Sequence, residues 1–104
     1  NTLKNWLREP LTREDVVRGK GKLMLRFAFT DHTLGAKNAL EFLRQYSREL
    51  SIYILELQRY LRTHKNEMRL SSRLALECGI EECKTRLQWA LTSIGKYERG
   101  EAKR

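Results

Sequence analysis

The feature that most constrains this chain is a seven-residue spacing inside a stretch with no helix breaker. From Ala36 to Thr63 there is neither Gly nor Pro. Within it Leu43, Leu50 and Leu57 form one column, Tyr46, Tyr53 and Tyr60 form a second, and Ile54 and Leu61 widen the stripe. Columns seven apart and offset by three lie along one helical face and describe a coiled-coil-type seam. Thr33 stands where an N-cap is wanted, so the spacing predicts one long helix from about Thr33 to Thr63.

A second long helix is predicted from Leu70 to Arg99. Leu76, Cys83, Ala90 and Tyr97 recur at the same interval, and Ile80, Leu87 and Ile94 fill the intervening column. Two long helices joined by a short connection pack antiparallel as a hairpin. Each stripe is wider than one partner helix covers, and the surplus, led by the tyrosine column, is surface that self-association would bury.

The N-terminal third reads as shorter pieces. Asn1 to Glu9 is a short helix with Leu3, Trp6 and Leu7 on one face, stopped by Pro10, which disfavours helical backbone at Glu9. Thr12 is placed as an N-cap with Asp15 at the third helical position, giving a turn that runs to Arg18, and Gly19-Lys20-Gly21 breaks it. From Lys22 to Phe29, Leu23, Leu25, Phe27 and Phe29 alternate with Lys22, Met24, Arg26 and Ala28, a period-2 pattern that suits a strand. No second strand of that quality exists to take its hydrogen bonds, so a helix is expected, unless two copies pair these segments. The fold class is therefore all-α: short helices, then two long antiparallel helices forming a coiled-coil-like dimerisation domain.

Length and charge bound the function without choosing it. At 104 residues, 40% apolar and 33% charged, the chain suits one globular domain. A net charge of +8 favours nucleic acid, anionic lipid or an acidic protein as a partner. The 21 basic residues are interleaved with 13 acidic ones, which is the pattern of a solvated helical surface. No apolar run is long enough to span a membrane and no leader pattern opens the chain, so a cytoplasmic location with free thiols is expected.

Cys78 and Cys83 raise a metal question that geometry answers. Five residues apart on a helix, they point about 140° apart around the axis with Cα atoms about 8 Å apart, too far for a disulfide. His32 and His64 stand in no ligand spacing with them, so no metal site is expected and Cys83 reads as a small buried hydrophobe. His64 continues the Leu43 column and suits a polar cap or a cation at a helix C-terminus, while His32 stands exposed just before a helix start. No phosphate loop, nucleophile elbow or paired titrating group is present, so neither catalysis nor a cofactor is expected. Tyr46, Tyr53 and Tyr60 suit an interface, where a large ring buries area and its hydroxyl stays wet. A pocket for a planar ligand, between Tyr53 and Trp89, is the alternative. Gly79 costs a helix about 1 kcal/mol relative to Ala, which close approach of another backbone would offset; a local kink is the other reading.

In order, several of these stretches resemble the C-terminal domain of PadR-like transcription regulators of the virulence-activator type. Leu74-Ala75-Leu76-Glu77, Gly79-Ile80 and Leu87-Gln88-Trp89 are similar to that domain's closing signature. Trp6-Leu7-Arg8-Glu9-Pro10 is similar to the WLxxP element that follows the family's wing, and Lys22 to Phe29 resembles its apolar stretch ending in Phe, which is helical there. The helix from Leu40 to Leu61 resembles the long charged helix that follows. The connection between the long helices and the basic tail from Lys96 to Arg104 have no counterpart in the pattern.

The resemblance implies a division of labour. A separate winged helix reads DNA, and the C-terminal helices form a homodimer that sets the spacing of two such readers. Residues 1–10 would then be the remnant of the linking helix and 11–104 the dimerisation domain of a fragment without its winged helix, in keeping with the non-Met start. DNA would be met through the missing domain, and a small aromatic effector could act through helix packing. The residues expected at the dimer or helix-packing interface are Leu43, Tyr46, Leu50, Tyr53, Ile54, Leu57, Tyr60 and Leu61, with Gly79, Ile80, Leu87, Trp89 and Ile94 opposite. The competing readings are a free-standing basic helical protein that binds nucleic acid and a small aromatic-ligand sensor module.

Overall fold

Local sequence signals fix most of the element boundaries in the computed structural model, which describes residues 2–100, apart from the Lys20 side chain. Asn1, with which the predicted first helix begins, and the last four residues of the basic tail lie outside them. Helix α1 runs Thr2–Arg8 and ends ahead of Pro10. Helix α2, Arg13–Arg18, begins at a capping box: the Asp15 N–H donates to Thr12 Oγ1 at 3.1 Å and the Thr12 N–H donates to Asp15 Oδ2 at 3.2 Å.

Helix α3, Lys20–Leu34, resolves the period-2 stretch as helix. The predicted Gly19-Lys20-Gly21 break shrinks to one residue. The Gly19 N–H closes α2 onto the Asp15 carbonyl at 2.9 Å, and the Gly19 carbonyl accepts the Leu23 N–H at 2.8 Å to open α3. A Cβ at Gly19 would lie 2.8 Å from the Asp15 carbonyl oxygen, so a side chain does not fit this turn.

Helix α4, Ala36–His64, starts later than the sequence predicts. Thr33 and His32 belong to the last turn of α3, and Gly35 is the cap, with a φ of +91° that disfavours residues carrying a Cβ. Its N–H donates to the Asp31 carbonyl and its own carbonyl accepts from the Ala39 N–H, so the chain turns from one helix into the next at a single residue. Helix α5, Leu70–Glu98, lies close to its predicted span.

The described residues contain no strand, and α4 packs on α5 while α3 lies against α4. Helix α2 touches both α3 and α4, and α1 rests on α3. The core is built from Leu11 and Val16 of the α2 region, Leu23 of α3, Phe42, Tyr46, Leu50 and Ile54 of α4, and Cys83 and Ala90 of α5. Each large side chain removed from water there contributes about 1.5–3 kcal/mol. Arg13 ties α2 to Glu49 and Glu56 of α4, and Arg44 near the start of α4 meets Glu98 at the end of α5 at 3.2 Å. These ion pairs are exposed and set register more than stability.

Candidate functional site

The predicted interface residues fall into three environments. Leu43, Tyr46, Leu50, Ile54 and Ile80 are buried inside this one chain. Tyr53, Leu57, Leu61, Gly79, Leu87 and Ile94 are half-buried, and Tyr60 and Trp89 are exposed. The first part of the tyrosine column is therefore core rather than surplus: Tyr46 is 0% exposed while Tyr60 is 53% exposed. Tyr60 stacks on His64 with ring centroids 4.2 Å apart, and His64 Nδ1 lies 3.1 Å from the Tyr60 carbonyl oxygen. Gly79 has nothing within 4 Å of where a Cβ would sit, so the expected close approach is not made by any part of the described chain.

Tyr53 and Trp89, expected to share a pocket, line different surfaces. Tyr53 faces Arg13, Glu14, Val17 and Arg18 of α2. Trp89 instead closes an apolar slot of about 210 Å³ with Met24, Tyr46, Thr85 and Arg86. Its ring meets Phe27 edge-on at 5.9 Å and Tyr46 edge-on at 6.4 Å, and Phe27 packs on Phe42 at 5.6 Å. Arg86 borders the slot, donating to the Val16 carbonyl at 3.2 Å, to the Tyr46 hydroxyl at 3.4 Å and to Cys83 Sγ at 3.6 Å. Burial works against its charge, but the Tyr46 hydroxyl and the Cys83 sulfur outweigh this and hold the guanidinium above its usual pKa. The slot offers aromatic walls and one cation at the rim.

At the end of the same aromatic chain Tyr97 packs edge-on against Phe27 and donates to Asp31 Oδ1 at 3.1 Å, tying α5 to α3. Burial, and then the Asp31 carboxylate, push the Tyr97 hydroxyl up to about 12. Cys83 is buried and Cys78 exposed, both as free thiols. No group of three or more His, Cys, Asp or Glu is placed to hold a metal ion among the described residues.

Two arginines that the sequence reading passed over occupy the best-organised polar positions. Arg26 is 5% exposed and lies between the Trp6 and Phe42 rings, with its guanidinium carbon 5.9 Å and 5.8 Å from their centroids. Its Nη2 donates to the Glu9 carbonyl, and Thr30 returns a 2.8 Å hydrogen bond to the Arg26 carbonyl. Burial lowers its pKa, opposed by the more distant charges of Asp15 and Glu9. The period-2 reading set Arg26 opposite Leu23, whereas helical spacing puts Leu23, Arg26 and Thr30 on one buried face. That spacing was the signal available. Arg86, three residues beyond Cys83, likewise borders the buried stripe of α5.

Two surfaces remain open. On α4, Lys37, Arg44, Arg48, Arg59 and Arg62 share the side opposite Tyr46 with the exposed Ile52 and Leu55, and Arg44 alone of these five has an ion pair among the described residues. Large aliphatic side chains are also left in water on both long helices: Leu55 is 65%, Leu70 60%, Leu74 52% and Leu91 49% exposed. No family model, characterised protein or solved structure matches the chain at a significant level.

Proposed function

We propose that this chain is the dimerisation and regulatory domain of a PadR-like DNA-binding transcription regulator, acting in the cytoplasm as a homodimer. In this reading α4 and α5 form an antiparallel, coiled-coil-like hairpin that pairs with a second copy and sets the spacing of two winged-helix readers. DNA is then read through a domain outside this sequence, in two half-sites related by the dimer two-fold. The observation that carries the reading is the run of exposed aliphatics on the long helices, Leu55, Leu70, Leu74 and Leu91. Such residues on helices whose other faces are already packed are the kind of surface that a second copy covers. The order of the elements adds support, from the short helix ahead of Pro10 to the Trp89 stretch of α5.

Light scattering and sedimentation of the purified chain test it. A dimer at micromolar concentration is expected, and Leu74→Asp should give a folded monomer, because Leu74 is exposed in the single chain while a charge at a buried interface is costly. A wild-type chain that stays monomeric would remove the basis for the proposal.

The apolar slot beside Trp89 favours a regulatory role with a small aromatic effector, whose ring would lie among Met24, Tyr46 and Trp89 with a polar group at Arg86. The open basic side of α4 favours a second reading, direct binding of nucleic acid by this chain. That reading requires affinity that falls steeply with salt and is lost when Arg48 and Arg59 are changed together.

A further inference from the structure

Arg26 is an ion buried without its counter-charge. Among the described residues no carboxylate lies within ion-pairing distance of its guanidinium, and its buried Nε–H has no acceptor. Buried arginines are as a rule paired, because taking a charge out of water is costly unless an opposite charge and hydrogen bonds replace the solvent. Among the described residues the guanidinium's one hydrogen-bond partner is the Glu9 carbonyl, and two aromatic faces lie against it.

A cavity of about 140 Å³ opens beside this guanidinium, between α1, α3 and α4. That is well above the roughly 10–15 Å³ that holds one water. Arg8, Asn38 and Gln45 line it together with Arg26. Arg8 has no ion-pair partner among the described residues. Gln45 spends its carbonyl oxygen on the Leu11 N–H at 3.3 Å, which leaves its NH2 group as a donor. Two cations and an amide donor line this cavity, the donor set that an oxyanion takes. Glu9 and Glu41, both exposed, stand on the same walls and set the limit on how strongly an anion is held.

We propose that this cavity binds a compact oxyanion, a carboxylate or a phosphate group, as the missing counter-ion of Arg26. The Arg26 guanidinium forms its floor, where planar geometry matches either group, and Arg8 closes on it from the rim. Because Arg26 already holds the Glu9 carbonyl and the Trp6 ring, the bound anion also fastens α1 to the helical body.

The test is a titration of the 15N-labelled full chain, following the arginine Nε–H resonances by NMR. Sodium acetate and inorganic phosphate are the two arms, with ionic strength held constant by sodium chloride. The Arg26 resonance is assigned by its absence in Arg26→Lys, which has no Nε–H. A saturable shift of that resonance is expected, with a Kd on the order of 1 mM for a ligand of four or five heavy atoms. The arm that binds more tightly tells a carboxylate ligand from a phosphate one. Arg8→Gln, at an exposed position, should weaken binding about two- to fivefold while the far-UV spectrum stays unchanged. No saturable shift in either arm would overturn the proposal, as would a shift of unaltered affinity in Arg8→Gln. A response confined to Glu41→Gln would also overturn it, by making Glu41 the resident counter-ion.

Discussion

The three tyrosines at 46, 53 and 60 share one column of α4 and differ in burial, so truncating each to Ala separates a core from a seam. Tyr46 is fully buried, stacked on Phe42 at 6.5 Å and edge-on to Trp89. Removing its ring forfeits the transfer energy and leaves a cavity, together about 3–5 kcal/mol, in line with other aromatic-to-Ala changes in cores. A domain of this size has a total stability of about 5–15 kcal/mol. With a urea m value of about 1.5 kcal/mol/M, Tyr46→Ala should lower the unfolding midpoint by roughly 2–3 M, with no change in slope. Tyr46→Phe keeps the ring and removes only the hydroxyl that accepts from Arg86, which retains the Val16 carbonyl. It should cost about 1 kcal/mol. Tyr53→Ala should fall between Tyr46→Ala and Tyr60→Ala, and the last should cost less than about 1 kcal/mol in the single chain. Urea melts followed at 222 nm, at two protein concentrations tenfold apart, give all four values. Equal, concentration-dependent losses at all three positions would refute the reasoning, since they would place the whole column against a second copy.

Other positions give sharper signs. Tyr97, with its hydroxyl raised to about 12, contributes stability that is fully present below the ordinary tyrosine pKa near 10 and is lost as pH rises to 12, so the thermal midpoint should fall across that window. In Tyr97→Phe the fall should be smaller, and an unchanged alkaline profile would count against the Asp31 contact. Thr12→Ala removes the oxygen that caps α2 and should cost about 1 kcal/mol by chemical denaturation. Gly79→Ala should stabilise the single chain by roughly 0.5–1 kcal/mol, because the new methyl group meets nothing and the helix gains propensity. The same variant weakening self-association would place Gly79 at the interface between copies.

Helix existence and type were legible because breakers and periodicity are properties of the chain itself. The capping box at Thr12 and the unbroken α4 and α5 follow from residues within a few positions of each other. Boundaries moved where one glycine served two helices, as at Gly19 and Gly35, since a single-residue turn leaves no loop-like composition to read. Lys22 to Phe29 misled for a different reason. Met24 and Phe27, which flank the buried Arg26, pack against the core while Leu25 and Phe29 stay exposed, so the apolar residues of α3 do not all point one way. Alternation and helical spacing then fit the same eight letters, and only the partner helices choose between them.

What a column of apolar residues does not state is which part of it the chain covers by itself. Helices α2 and α3 are short and lie against one stretch of α4, so Tyr46 and Leu50 disappear into the core while the last turns of α4 are left half-covered. The exposed Leu70 and Leu74 open α5 directly after the connection at residues 65–69. The apolar surface still in water therefore includes Leu70 and Leu74 at the start of α5, Leu91 toward its other end and Leu55 on the basic side of α4. For the proposed dimer this moves the expected contact away from the sequence-predicted centre of the seam, Leu43, Tyr46 and Leu50, and onto the residues the single chain leaves exposed, Leu55, Leu70, Leu74 and Leu91. The first group is already spent on folding, so only the second can set the affinity between copies without first disturbing the fold.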